Sequence, residues 1–91
     1  MDAAHYRFPP ARAYPLNRCL YAIKSDAEFR ARYTADPRGA MGTMGLTEEE
    51  QGALASGDRD RLVALGAHPY LVFMADLRVR MDRGSTGFEY F

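Results

Sequence analysis

The strongest period among the apolar residues of this chain is the three- and four-residue spacing of an α-helix, not the alternation of a strand. The dipeptide Tyr14-Pro15 is expected to open the first helix, because proline is tolerated in a first turn. One face of this helix carries Leu16, Cys19, Leu20 and Ile23. The spacing predicts that this face is buried and that the helix breaks at Ser25.

Capping signals predict shorter helices in the middle of the chain. These signals are the capping-box spacing of Ser25-Asp26-Ala27-Glu28, the N-cap pair Asp36-Pro37 and a second capping box, Thr47-Glu48-Glu49-Glu50. Three glycines between Arg38 and Gly45 limit any helix there to a turn or two. The next two helices are expected to end near Gly57 and to run from Asp58 to Gly66.

The longest predicted helix begins at His68-Pro69 and ends at Gly84. Its apolar stripe consists of Tyr70, Phe73, Met74, Leu77 and Met81. Such a stripe more often faces a core than a partner, yet so small a domain cannot bury all of its five Phe, six Tyr and five Met side chains. Some apolar surface is therefore expected to meet another chain. Cores and interfaces use the same residue types, so both uses of the stripe remain open.

These elements predict an all-α fold with three parts. We expect a small orthogonal multi-helix domain at residues 14–84, preceded by an extended N-terminal arm at 1–13 and followed by an aromatic C-terminal tail at 85–91. A domain of 91 residues buries only about 60–65% of its unfolded surface, so it would gain stability from a partner. A self-contained enzyme is therefore a poor expectation.

Charge and cysteine usage exclude several classes of function. The chain has 12 basic and 12 acidic residues, so we expect neither nucleic acid nor an anionic membrane as a partner. No apolar run reaches the roughly 18 residues that a membrane span needs. The lone cysteine, Cys19, cannot form an internal disulfide, which favours a reduced cytoplasm.

Few residues of this chain suit a catalytic or metal site. His5 and His68 lie far apart and lack neighbouring metal-ligand residues, so neither is expected to bind a metal. His68, which precedes Pro69, is expected to cap or pack at a helix start. Cys19 is interpreted as a small buried hydrophobic residue rather than a nucleophile. The glycines at 39–45 follow no strand and lack the lysine of a phosphate-binding loop.

Tyr14 and Asn17 can make directional hydrogen bonds at the start of the first helix. Spacing alone favours a structural role for Asn17, in which its amide binds the local backbone. A role of both residues in binding is the alternative.

Several short motifs follow one another in a characteristic order. They are Tyr14-Pro15-Leu16-Asn17, Phe29, Ala35-Asp36, Gly45-Leu46-Thr47-Glu48-Glu49, Asp60 and Leu65-Gly66-Ala67-His68-Pro69-Tyr70. In this order, over about residues 14–81, they resemble the α (small) subunits of protocatechuate 4,5-dioxygenases, the companion chains of class III extradiol ring-cleaving enzymes. Each motif is weak alone, and their order makes the resemblance fairly specific.

The resemblance implies an all-helical small subunit that packs on a larger catalytic β subunit. In this family the large chain holds the non-heme Fe(II) with two His and one Glu, and the small chain supplies no iron ligand. In this family the small chain covers the mouth of the iron site and contributes to the substrate pocket, and the resemblance also implies an α2β2 hetero-oligomer. Large subunits of this kind act on catechols or aminophenols, so the resemblance does not name the ring.

On this interpretation we expect no catalytic, metal-binding or cofactor-binding residue in this chain alone. The residues expected at the substrate pocket or the partner interface are Tyr14, Leu16, Asn17, His68, Tyr70 and Phe73. The alternative is a free-standing helical protein-interaction module of the same fold with no dioxygenase partner. A facial-triad protein encoded next to this chain would favour the first interpretation.

Overall fold

The computed structural model of the protein describes the backbone of residues 11–88 and the side chains of residues 11–83. Within this part of the chain all regular structure is helical, which confirms the all-α prediction. A 3-10 turn at Ala11–Ala13 precedes the helices α1 (Tyr14–Ser25), α2 (Ala27–Ala35), α3 (Pro37–Thr43), α4 (Glu48–Ser56), α5 (Arg59–Ala64) and α6 (Pro69–Phe88).

Three helices begin at the caps that the sequence predicts. Asp36 caps α3, with Pro37 in the first turn, and Asp58 caps α5. At α4 the capping box is complete: the Thr47 hydroxyl accepts from the Glu50 N–H at 3.1 Å, and the Glu50 carboxylate accepts from the Thr47 N–H at 2.8 Å. The glycine-rich α3 spans seven residues, as its composition predicts.

The predicted cap of α2 is wrong by one residue. Ser25 is the last residue of α1 rather than the N-cap of the next helix. Asp26 holds the N-cap position instead, and its Oδ1 accepts from the N–H groups of Glu28 and Phe29 at 3.0 and 3.1 Å. A carboxylate at this position also interacts favourably with the positive end of the helix dipole, which a serine hydroxyl does less strongly.

The predicted end of α6 at Gly84 is also wrong, because the helix continues to Phe88. A helical glycine costs about 1 kcal/mol relative to alanine, but it keeps its N–H and lacks the steric clash of proline. The predicted tail is therefore helical at 85–88, and residues 89–91 lie outside the described residues. Residues 1–10 of the predicted N-terminal arm also lie outside the described residues. The last three residues of the arm, Ala11–Ala13, form a 3-10 turn rather than an extended segment.

The core lies mainly between α1 and α6, which form the most extensive helix contact among the described residues. The predicted inner face of α1 is confirmed. The buried side chains that form one cluster include Leu16, Cys19, Leu20, Ile23, Phe29, Met41, Leu46, Leu62, Val72 and Ala75.

A buried arginine links the end of α1 to α6 by hydrogen bonds. Arg30 of α2 donates from Nη1 to the carbonyl of Ile23 at 2.8 Å and from Nε to Asp82 Oδ2 at 2.6 Å. It therefore satisfies a carbonyl in the last turn of α1 while it pairs with a carboxylate on α6. Since the start of α1 contacts the residues just before α6, the two helices run side by side in the same direction.

Candidate functional site

The apolar stripe of α6 faces solvent. Tyr70, Phe73 and Met81 are 55%, 51% and 46% exposed, and Met74 and Leu77 on the same side are partly buried. We call these five residues the outer face of α6. Of the two uses that the sequence leaves open for this stripe, the structure therefore shows an exposed surface rather than a core.

The inner face of α6 carries smaller side chains. Val72 and Ala75 are buried in the main cluster, and Val79 packs against it. At 3.6 residues per turn these positions lie roughly half a turn away from Tyr70 and Leu77. α6 is therefore apolar on two opposite faces, and the described part of the chain covers only one of them.

Two predicted site residues on α1 have different surroundings. Tyr14 is exposed at the start of α1, at the same end of the α1–α6 pair as Tyr70 and Phe73. Leu16 is 0% exposed and belongs to the core cluster, so its side chain faces neither a pocket nor a partner. The apolar spacing that identified Leu16 is that of the buried face, which accounts for its position.

Asn17 joins the start of α1 to the connection between α5 and α6. Its Nδ2 donates to the carbonyls of Ala13 at 3.1 Å and Gly66 at 3.0 Å, and its Oδ1 accepts from the His68 N–H at 2.7 Å. The bond to Ala13 confirms the predicted local backbone contact. The two longer-range bonds satisfy backbone groups at a helix connection and set where α6 begins relative to α1.

His68 caps α6, as predicted from its place before Pro69. Its Nδ1 accepts from the Tyr70 N–H at 3.1 Å, and its ring lies edge-on to the Tyr70 ring with centroids 6.5 Å apart. Asn17 holds the backbone of His68, and His68 in turn contacts Tyr70. The polar residues predicted for the site therefore support an exposed aromatic side chain.

Cys19 is buried in the core, in surroundings that disfavour its reactive form. Burial, and to a smaller extent the negative charge of Glu50, raise the pKa of the Cys19 thiol from 9.0 to about 12. The thiol therefore stays protonated at neutral pH, and its reactive thiolate form is disfavoured. This agrees with its interpretation as a small hydrophobic residue.

Sequence reasoning missed a cleft on the inner side of α6. It has a volume of about 390 Å³ and lies between α6 and parts of α1, α2, α4 and α5. Three arginines line it, from two consecutive helices: Arg59 of α5 and Arg80 and Arg83 of α6. A charge count over the sequence could not detect this cluster, because only the folded chain brings α5 and α6 together.

Residues 11–83 contain no group of three or more His, Cys, Asp or Glu that could hold a metal ion. Within the described residues, no helix combines the length and the hydropathy that crossing a bilayer requires.

Comparison with known proteins gives one match. The family model described as "Aromatic-ring-opening dioxygenase LigAB, LigA subunit" matches residues 16–83, which is about three quarters of the chain. No curated protein and no solved structure matches the chain significantly.

Proposed function

The chain belongs to the LigA-subunit family of aromatic-ring-opening dioxygenases, and on that premise we propose that it acts as the small, non-catalytic subunit beside a larger catalytic subunit. The outer face of α6 is the observation that carries this proposal. A helix with apolar residues on two opposite faces needs two coverings, and residues 11–83 supply one. The larger subunit is the second.

The exposed residues of this face suit a protein interface. Tyr70 and Phe73 expose more than half of their surface, and aromatic side chains are enriched among the residues that dominate binding energy. Tyr14 is also exposed, at the start of α1 and at the same end of the α1–α6 pair. We propose that these three side chains form the centre of the contact.

Asn17 and His68 act in this proposal as positioning residues. Asn17 holds the backbone at the start of α6, and His68 binds the N–H of Tyr70 and contacts its ring. Side chains held in place before binding lose less conformational entropy on association. The two residues would therefore improve the affinity without direct contact with the larger subunit.

We assign the iron chemistry to the larger subunit. On the ground of the family to which the chain belongs, we propose that Fe(II) is held by two His and one Glu of the partner in an α2β2 assembly in the cytoplasm. Such a site would activate O₂ for cleavage of a catechol or aminophenol ring. This chain would cover the mouth of that site and exclude bulk water, which strengthens electrostatic interactions within it.

The test is a titration of the purified chain with the larger subunit encoded beside it. The double variant Tyr70→Ala/Phe73→Ala is expected to weaken the association by about tenfold to a hundredfold, as truncation of central interface aromatics does. Tyr21→Ala is the matched control, because Tyr21 is also more than half exposed but lies on α1, outside the outer face of α6. Equal losses in both variants would contradict the placement of the interface.

Iron content gives a second measurement on the same complex. Replacing both His5 and His68 with Ala is expected to leave the iron bound per complex unchanged, since neither residue is proposed as a ligand. Loss of iron in this variant would show that the small chain contributes to the metal site. A chain that elutes alone, or with an iron-free partner, would instead favour a free-standing interaction module.

A further inference from the structure

The cleft on the inner side of α6 has the size and the floor of a ligand site. Its volume of about 390 Å³ falls within the range of natural small-molecule pockets, about 300–1,000 Å³. Its floor is the buried core at Leu20, Ile23, Leu62 and Val72, and the partly buried apolar side chains that line it are Leu54 and Val79. Five helices contribute to its walls, so the cleft is a product of the whole fold rather than of one surface.

The rim of the cleft is positively charged in a chain whose net charge is zero. Arg59 of α5 and Arg80 and Arg83 of α6 line it, against one carboxylate, Asp76, among the described lining residues. Arg80 Nε donates to Asp76 Oδ2 at 2.9 Å, so these two charges offset each other. Within residues 11–83, Arg59 and Arg83 form no ion pair, which leaves both guanidinium groups available to an anion.

A phenol adds a neutral hydrogen-bond donor to the cleft. Burial raises the pKa of Tyr33 above its ordinary value, and the nearby Arg83 guanidinium opposes this shift. The Tyr33 hydroxyl therefore stays protonated at neutral pH and can donate to an acceptor.

We propose that this cleft binds a small organic carboxylate whose apolar body is about the size of a single ring. The body would lie against the partly buried side chains of Leu54 and Val79. The carboxylate would accept hydrogen bonds from Arg59 and Arg83, because the planar fork of a guanidinium matches the two oxygens of a carboxylate.

An acidic segment of a protein partner is the competing occupant, and the position of the cleft disfavours it. The cleft and the outer face lie on opposite sides of α6, and a helix with its side chains is about 10–12 Å across. A subunit docked on the outer face would therefore leave the cleft open. The inference does not depend on the proposed function, because it concerns this chain alone.

The experiment is a backbone-amide NMR titration of the isotope-labelled full chain with benzoate. Saturable shifts are expected at residues that line the cleft, such as Ile23, Leu62 and Val79. Benzyl alcohol, which has the ring without the charge, and acetate, which has the charge without the ring, are each expected to bind at least about tenfold more weakly.

Two variants test the role of the arginines. Arg59→Gln/Arg83→Gln is expected to weaken benzoate binding by about tenfold or more, because the charge-assisted hydrogen bonds are lost. Arg18→Gln is the control, since Arg18 is exposed on α1 and does not line the cleft. The amide spectrum of each variant reports whether it is folded, and Arg83→Lys, which keeps the charge but lacks the fork, provides a milder change with an expected intermediate loss.

Three results would overturn the proposal. One is the absence of saturable shifts up to the solubility limit of benzoate, and another is equal binding of acetate and benzoate. The third is displacement of benzoate by the larger subunit, which would identify the cleft as a protein contact. Failure of benzoate to bind would leave the subunit titration unaffected, so the two proposals can be rejected separately.

Discussion

The two faces of α6 are both apolar but differ in the size of their side chains. The inner face places Val72 and Ala75 against α1, where close packing of two helices favours small residues. The outer face carries Tyr70, Phe73 and Met81, which are about half exposed. Hydrophobicity alone therefore does not identify the core side of this helix. The core side of α6 is identified by the small volumes of the side chains that fit against α1.

Polar bonds at two points hold α6 in this orientation. Asn17 binds the backbone on both sides of Ala67, just before the helix begins, and Arg30 pairs with Asp82 about four turns later. A rotation of α6 that buried its outer face would break these bonds. The polar contacts thus decide which of two apolar faces is available to a partner.

The largest expected effect comes from a charge on the inner face. Val72→Asp buries a carboxylate without a partner and is expected to lower the free energy of unfolding by about 3–5 kcal/mol. Phe73→Asp, one position away on the exposed side, is expected to change it by no more than about 0.5 kcal/mol. Urea unfolding followed by circular dichroism measures both, and the milder Val72→Ala applies if Val72→Asp does not fold. Similar losses at the two positions would contradict the assignment of the faces.

The next largest loss of folding stability is expected from Asn17→Ala, because Asn17 positions the start of α6. Asn17→Ala leaves the Gly66 carbonyl and the His68 N–H without their side-chain partner, which is expected to cost about 2 kcal/mol. Gln51→Ala is the control, because it removes a single side-chain bond, to the Leu46 carbonyl. Hydrogen exchange at the His68 amide should accelerate in Asn17→Ala alone. Unchanged exchange would show that the bond does not hold the helix start.

The buried thiol of Cys19, on the buried face of α1, also predicts that the free energy of unfolding depends on pH. The pKa of Cys19 is raised to about 12 in the folded state, from 9.0, so the unfolded state releases this proton first as the pH rises. Stability is therefore unaffected by Cys19 below about pH 9 and falls by up to about 1.4 kcal/mol per pH unit above it. Urea unfolding from pH 8 to 11 should show this slope, reduced in Cys19→Ala. The Tyr33 pKa is also raised, so part of the slope above pH 10 should remain.

The smallest expected effect concerns the cap of α6. His68→Ala removes the acceptor for the Tyr70 N–H and is expected to cost about 1 kcal/mol, whereas His68→Asn, a good N-cap, should recover most of it. The urea midpoint measures both variants. If His68→Ala weakens binding of the larger subunit while His68→Asn does not, the cap acts by positioning Tyr70. Equal binding of all three forms would rule out that role.

Much of the fold could be predicted from local patterns. The buried face of α1, the caps at Asp36, Thr47 and Asp58, and the start of α6 at Pro69 all follow from residues within four positions of one another. The errors also occurred at helix ends. Asp26 displaced Ser25 as a cap, and Gly84 did not stop α6, because glycine only weakens a helix.

The site was predicted less completely, because its residues belong to distant parts of the chain. Tyr14, Tyr70 and Phe73 lie on the surface, whereas Leu16 lies in the core. The cleft arginines gave no signal in the sequence, since the charges of the whole chain cancel. Contacts across such separations depend on how helices pack, which periodicity does not encode.

The sequence by itself determined the helices, most of their boundaries, the buried face of α1 and the family to which the chain belongs. Each of these rests on short-range spacing or on the order of motifs. Only the tertiary structure decided which face of α6 is exposed, what Asn17 binds and that Arg59 and Arg83 line the same cleft. The physical reason is that these features depend on the volumes of packed side chains and on hydrogen bonds between residues about fifty positions apart.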